Sequence, residues 1–433
     1  MSGTLAMLGG PKAVPAGLDG GPWPVIEAED EAAVLRALRG GRLTATAAGE
    51  TEVAGLEQEW ANFVGVAHCA GVGSGTTALW VALTALGVGA GDEVVVPALT
   101  MNATAHAVRL SGATPVFADI EPDTFTVDPA QVRAAIGPRT AALLPVHLHG
   151  LPADMGALVR IAVEGGRNLP VVEDAAQSHG ATYRGAVTGS IGTLGCFSLH
   201  PSKNLPTCGE GGLITTDSAE LRAAVEMQRN FGERPPTTTR DYVAYQPGTN
   251  GRLSPLQAAF TRAQLRRFPA YAQTRAEAVG ELLGRLAALP GLGAPFVPGD
   301  RTHAWHILRF RIRPEELGLA DVPLAALRAA LHRALRAEGV PVSQYQAAPL
   351  PAHPAFRAPG RSLAQIAADY PVACATIDGS LCLQRRHLGP AAGPALAAYA
   401  DGFEKVWAHM DVIRQMARSR AAAPGWRDAV NEG

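Results

Sequence analysis

Lysine is nearly absent from this chain: Lys12, Lys203 and Lys405 stand against 34 arginines in 433 residues. Where a generic positive charge suffices, such a chain has drifted to arginine. A lysine that remains raises the question of what an amine does that a guanidinium cannot. One answer is to lose its proton and attack a carbonyl. Cysteines are also few: Cys69, Cys196, Cys208, Cys374 and Cys382 are odd in number, scattered, and form no Cys-x-x-Cys pair. That argues against a disulfide framework or a zinc site and suits a reducing compartment. No sign of charge dominates, since the formal net charge is −2, so neither a polyanion-binding face nor a nucleic-acid partner is expected. No run approaches the ~20 apolar residues of a membrane span. The opening stretch, Met1 to Gly10, lacks the basic start and apolar core of a signal peptide, so a cytoplasmic enzyme is expected.

What is present is an alternation of short apolar runs with longer amphipathic ones, the pattern of a mostly parallel sheet covered by helices. Strands are expected at Glu93–Pro97, Thr114–Asp119, Ala141–Val146, Pro170–Asp174 and Leu213–Thr216, with helices at Thr76–Leu86, Ala103–Ser111, Pro129–Ile136 and Asp154–Val163. The character changes after about Leu253. A helical stretch from Gln257 to Leu289, interrupted at Pro269, leads to a strand at Ala304–Ile312 and a helix at Val322–Ala337. A boundary near residue 265 would divide a large domain (1–265) from a smaller one (266–433), and the residues from about Ala421 read as a frayed tail.

Three segments carry chemistry. Val171-Val-Glu-Asp174 is an apolar strand ending in carboxylates, which places Asp174 at the carboxyl edge of the sheet, where open α/β folds bind ligands. The blander alternative is a helix cap. Gly71-Val-Gly-Ser-Gly-Thr-Thr77 is a small-residue turn opening a helix, suited to cradling an anion but equally to capping. Ser198 lies five residues before Lys203, and Gly209-Glu-Gly-Gly212 follows. Together they are the parts that pyridoxal phosphate needs: an anchored phosphate, a carboxylate keeping the ring nitrogen protonated, and a lysine to capture the aldehyde.

In these motifs the chain resembles the DegT/StrS-like sugar aminotransferases of the aspartate aminotransferase-like class (fold type I). The marks are Ser74-Gly-Thr-Thr-Ala-Leu79, Gly91-Asp-Glu-Val-Val-Val-Pro97, Pro145-Val-His-Leu-His-Gly150, Glu173-Asp-Ala-Ala-Gln177, Phe197–Asn204, Gly209–Gly212 and Asn250-Gly-Arg-Leu-Ser254. The resemblance implies an α/β three-layer large domain with a mostly parallel sheet and a smaller α+β C-terminal domain. It implies that Lys203 is the catalytic amine, forming a Schiff base with pyridoxal 5'-phosphate, with Asp174 at the ring nitrogen and Gln177 at the ring hydroxyl. Gly75, Thr76, Thr77 and Ser198 would bind the phosphate, and Asn250 and Arg252 would reach in from the second protomer of a homodimer. Met101 stands where the family usually places an aromatic ring over the cofactor, and Gln344-Tyr345 stands where it has His-Tyr. The loop after the lysine is one residue longer than the commonest version.

His149, His306 and Tyr345 are the candidate substrate contacts, and His147 reads as structural; Arg385-Arg386-His387 could meet an anionic substrate, but a solvated turn is the favoured reading. The implied reaction moves an amino group from L-glutamine or L-glutamate to a carbonyl acceptor. Leu8-Gly-Gly-Pro-Lys-Ala-Val14 and Pro22-Trp-Pro-Val25 most resemble the members acting on ketocyclitols. Three rivals exist. A sugar dehydratase of the same fold would carry histidine in place of Lys203, a regulatory relative would carry a damaged site, and a nucleotide-binding α/β protein would carry a Gly-x-Gly-x-x-Gly or Walker loop.

Overall fold

The computed structural model describes residues 3–234, 242–419 and 424–430. Its first half contains strands β1 (His68–Val72), β2 (Glu93–Pro97), β3 (Thr114–Ala118), β4 (Thr140–Leu143) and β5 (Val172–Asp174). A small hairpin of β6 (Thr182–Tyr183) and β7 (Ala186–Val187) precedes β8 (Leu194–Ser198) and β9 (Gly212–Thr216). β2 pairs in parallel with β3 and β4, and β5 with β8. Parallel bridges Leu143–Val171 and Val146–Asp174 join the two groups. β9 runs antiparallel between β8 and β1. The resulting order is β3-β2-β4-β5-β8-β9-β1, with β9 alone reversed.

Side-chain alternation explains the layering. Val94 and Val96 of β2 enter one hydrophobic cluster and Val95 another; Leu194 and Cys196 of β8 likewise part company with Phe197. Both faces of the sheet are therefore buried, which is why these strands read as continuous apolar runs. Helices α1 (Ala28–Arg39), α2 (Glu52–Val64), α3 (Gly75–Ala85), α4 (Ala103–Leu110), α5 (Pro129–Ala135), α6 (Met155–Val163) and α7 (Ala219–Arg229) complete this half. α3 runs directly along the sheet and buries Ala78, Leu79, Val81, Ala82 and Leu83.

The second half comprises α8 (Pro255–Leu286), β10 (Leu292–Gly293), β11 (Ile307–Ile312), α9 (Leu324–Ala337), α10 (Leu363–Asp369), α11 (Pro371–Asp378), β12 (Ser380–Gln384), α12 (Gly393–Trp407) and α13 (Met410–Ser419). β11 is the central strand of an antiparallel three-stranded sheet. Leu308, Phe310, Leu381 and Leu383 pack there with Leu327, Leu331 and Phe403 of the covering helices.

Several expectations need correcting. Pro269 does not interrupt α8, which is continuous over 32 residues. A proline removes one N–H from the ladder. Here buried side chains on both sides of it, from Phe260 and Leu265 to Val279 and Leu286, hold the helix in place. The strand expected from Ala304 begins only at Ile307. Trp305 adopts φ 51° and gives its N–H to His303 Nδ1 at 2.8 Å, which takes the chain off the ladder. The expected tail is only partly outside structure. Residues 420–423 and 431–433 lie beyond the described ones, but Trp426 is buried and its N–H donates to Asp378 Oδ1 at 2.8 Å. At the other end, Leu5 and Val14 join the core of the second half.

Candidate active site

Six strands point the same way, so the ends of β1, β2, β5 and β8 converge on one edge of the sheet. A cavity of about 580 Å3 opens there. Ser74, Gly75 and Thr76 reach it from the start of α3, Met101 from the turn after β2, Asp174 and Gln177 from the end of β5, Ser198 from the end of β8 and Lys203 from beyond it. His306 and Tyr345 line the opposite wall. Nine of the residues singled out from sequence thus share one space: Gly75, Thr76, Met101, Asp174, Gln177, Ser198, Lys203, His306 and Tyr345.

Asp174 is buried, yet its carboxylate is supplied with donors. The Thr104 hydroxyl donates to Oδ2 at 2.9 Å and the Ala176 N–H to Oδ1 at 3.2 Å. Burial raises its carboxyl above the ordinary range, and Thr104, Ala176 and the nearby Lys203 charge oppose that rise. Burial also lowers the Lys203 ammonium below the usual lysine value, with Asp174 pulling the other way. An amine in this setting is deprotonated more readily than a surface lysine, as a nucleophile requires. Gln177 accepts the His149 N–H on Oε1 at 2.8 Å, which leaves its amide N–H groups to the cavity.

Close approach of α3 to β8 depends on Gly75. A Cβ there would lie 2.6 Å from Ser198 Cβ, so only glycine lets the helix start meet the strand end. Ser74 caps the helix by accepting the Thr77 N–H at 3.1 Å. The first-turn amides that no helix can pair internally lie beside Ser198, which is the arrangement that receives an anion.

Four candidates lie elsewhere. Thr77 is committed to the cap, its hydroxyl 2.9 Å from Ser74 Oγ, and does not line the cavity. His149 is buried beside it rather than in it: Arg309 Nε donates to its Nε2 at 2.9 Å, and the ring packs edge-on to Tyr345. Burial and the Arg309 charge hold the His149 ring neutral, far below the usual histidine value. Its contribution is the backbone N–H to Gln177. Asn250 is exposed, and Arg252 donates to Asn230 Oδ1; neither lines the cavity of its own chain.

His147 is structural, as expected. Its Nδ1 accepts the Ala153 N–H at 3.1 Å, so the proton sits on Nε2 and is donated to Glu173 Oε2 at 2.9 Å. The solvated turn at Arg385 is a misreading. Arg385 is 2% exposed and, with Gln384 and Arg386, lines the cavity. Trp23 is a further residue that sequence reasoning passed over: its indole N–H donates to the Lys203 carbonyl at 3.1 Å, and Arg385 Cζ lies 3.5 Å from its ring centroid. The clue for Arg385 was its place directly after an apolar strand, and for Trp23 its rarity in a Pro-Trp-Pro turn.

The residues present fit pyridoxal phosphate: a cradle that a Cβ would fill, a buried carboxylate held by donors, and an amine of depressed basicity in one cavity. The model of the DegT/DnrJ/EryC1/StrS aminotransferase family matches residues 24–388. The chain belongs to this family. It is a pyridoxal-phosphate-dependent aminotransferase. A curated relative from Streptomyces venezuelae, dTDP-3-amino-3,4,6-trideoxy-alpha-D-glucose transaminase, is 43% identical over 67% of this chain and 73% of its own length. The erythromycin biosynthesis sensory transduction protein EryC1 of Saccharopolyspora erythraea is 42% identical over 59% of this chain and 68% of that one. Among solved structures, S. venezuelae DesV superposes with a TM-score of 0.75 at 37% identity, covering 88% of this chain and 95% of that one. Among the described residues no helix is long and apolar enough to cross a membrane.

Proposed function

We propose that this aminotransferase moves an amino group from L-glutamate or L-glutamine to the carbonyl of a ketocyclitol, ketosugar or related natural-product intermediate. It would act as a homodimer in the cytoplasm, with Asn250 and Arg252 of the partner subunit completing each phosphate site. The observation that carries the reading is the convergence of Lys203, Asp174, Gln177 and Ser198 on one cavity. The S. venezuelae relative, named for a dTDP-sugar product, supports a ketosugar acceptor. The opening motif supports the ketocyclitol alternative. We also propose that the large and small domains divide near residue 265, inside α8, whose first half packs on α1 and α2 and whose second half packs on α12.

Bound pyridoxal phosphate supplies an electrophilic carbonyl and an electron-withdrawing ring that stabilises negative charge at the substrate carbon. In this reading Lys203 would supply the amine that holds that carbonyl, and its Nζ would be the group that takes up and returns a proton during transfer. Asp174 would face the ring nitrogen and favour its protonated form, and the Thr104 and Ala176 hydrogen bonds favour the carboxylate against the effect of burial. Gln177, oriented by the His149 backbone, would donate toward the ring oxygen. The helix start at Gly75 and Thr76, with Ser198, would anchor the phosphate. Met101, half exposed at the cavity wall, would offer its thioether to a ring face.

A relative bearing a sensory-transduction name keeps the regulatory alternative in view. The intact set of Lys203, Asp174, Gln177 and Ser198 favours catalysis, and Lys203 itself argues against a dehydratase. The test is the visible spectrum of the purified holoenzyme during amino-acid titration. L-glutamate or L-glutamine should bleach the cofactor band, and ketosugar or ketocyclitol acceptors should restore it. A band that no amino acid changes would remove the proposal.

A further inference from the structure

Around the cavity, two buried guanidiniums have no counter-ion among the described residues. Arg385 and Arg275 are 2% and 1% exposed. Arg385 gives Nη1 to the Leu388 carbonyl at 2.9 Å, and its Nε and Nη2 have no hydrogen-bond partner. Arg275 gives Nε to the same carbonyl at 3.1 Å and Nη1 to the Ala304 carbonyl at 3.3 Å, leaving Nη2 without a partner. Among the described residues, the influences on Arg385 are burial and the repulsion of Arg275, and on Arg275 burial alone; no carboxylate offsets either. The Trp23 ring lies against both, 3.5 Å from Arg385 Cζ and 5.9 Å from Arg275 Cζ.

An arginine does not shed its proton to escape burial. A buried cation normally needs a paired anion, and contact with an aromatic face recovers only part of the cost. The missing negative charge therefore has to come from a ligand. We propose that Arg385, with Arg275 behind it and Trp23 beneath it, binds the α-carboxylate of the amino-acid donor. Nε and Nη2 form one edge of the guanidinium fork, the edge that grips a carboxylate through two parallel hydrogen bonds. The position suits the donor. Trp23 spans from Arg385 to the backbone carbonyl of Lys203, so the cation sits one indole away from the reacting lysine. In an amino acid the carboxylate is one bond from the carbon bearing the amine. In a nucleotide-linked ketosugar the phosphates lie several bonds from the carbonyl. The inference rests on the transaminase reading above and names a recognition group for its first substrate.

The test compares wild-type and Arg385→Gln holoenzymes. L-Glutamate and L-glutamine are titrated against the cofactor band, each beside its decarboxylated counterpart (4-aminobutyrate and 4-aminobutanamide). The half-saturating concentration is read rather than the limiting rate. In the variant it should rise about 10- to 100-fold for the amino acids and change little for the amines, so that the two losses fail to add. Calorimetry with L-2-hydroxyglutarate, which has the carboxylate but no amine, gives a readout independent of turnover: binding should be seen in wild type and lost in the variant. Equal half-saturation of the wild type by glutamate and 4-aminobutyrate would overturn the proposal without any variant. So would unchanged hydroxy-acid binding in Arg385→Gln, or a loss confined to dTDP, which would assign the arginine to the acceptor. If no amino acid alters the band, the transaminase reading fails instead, and the calorimetric comparison still judges Arg385.

Discussion

Glu173 is fully buried next to Asp174, and replacing it by glutamine probes how the site is braced. Its carboxylate receives four N–H donors: Ile191 at 2.7 Å and Gly192 at 2.6 Å on Oε1, Gly189 at 2.8 Å and His147 Nε2 at 2.9 Å on Oε2. Glutamine has one acceptor oxygen. Whichever way its amide turns, two of those donors face an NH2 group. Each unsatisfied buried donor costs about 1–3 kcal/mol, so Glu173→Gln should destabilise by about 2–6 kcal/mol. The His147 tautomer offers no escape, because Nδ1 already accepts from Ala153.

The effect also has a pH signature. Burial alone would raise the Glu173 carboxyl, but the His147 hydrogen bond and the backbone donors outweigh it and hold it below the usual glutamate range. A depressed carboxyl contributes stability that is complete above the unfolded-state value and disappears as pH falls through the folded one. Urea unfolding followed by circular dichroism should therefore show a gap between wild type and variant at pH 7 that narrows as pH falls below about 4.5. A gap under about 1 kcal/mol at pH 7, or one of equal size at both ends of that range, would refute the reasoning.

Gly75→Ala places a Cβ 2.6 Å from Ser198 Cβ; with overpacking costing about 1–3 kcal/mol, cofactor affinity read by dialysis should fall about 5- to 150-fold. Thr104→Val removes a donor that holds the Asp174 carboxylate ionised, so the acid limb of the pH–rate profile should move to higher pH; an unmoved limb would show that Thr104 does not act on Asp174. If each site is shared between protomers, Lys203→Ala and Asn250→Ala homodimers are each inactive. Subunits exchanged at random should then regain about one quarter of wild-type activity, since half the dimers are mixed and each carries one intact site. An Asn250→Ala homodimer that stays active would place Asn250 outside the site, and no recovery despite proven exchange would contradict its reaching in from the partner subunit.

Legibility in the sequence followed the kind of interaction involved. β2 and the body of α3 were readable because burial on both faces makes β2 a continuous apolar run and glycines and a serine announce the start of α3. Asp174 and Ser198 were readable because each ends a strand at the sheet's carboxyl edge, and Lys203 because it follows shortly after. β1, with only Val72 strongly apolar, and the antiparallel β12 left no such run. α8 was misread at Pro269 because contacts from α1, α2 and α12, distant in sequence, outweigh one missing N–H. His149 and Thr77 were misplaced for a related reason: both sit beside the cavity, and which way each side chain is claimed is decided by Arg309 and by the Ser74 cap. Arg385 looked like a surface cation because two adjacent arginines usually are one. Only packing against Trp23, from the far N-terminal arm, shows otherwise.

The covalent role of Lys203 is tested most directly by borohydride reduction of the holoenzyme followed by peptide mapping. The scarcity of lysine makes the result decisive, because Lys12 and Lys405 are the sole alternatives in the chain. Lys405 is engaged with Glu338 at 2.9 Å and with the Pro11 carbonyl at 2.6 Å. One reduced cofactor per chain on the peptide containing Lys203 is the expected result. Label on Lys12 or Lys405, or an unlabelled enzyme that still transfers amino groups, would contradict it.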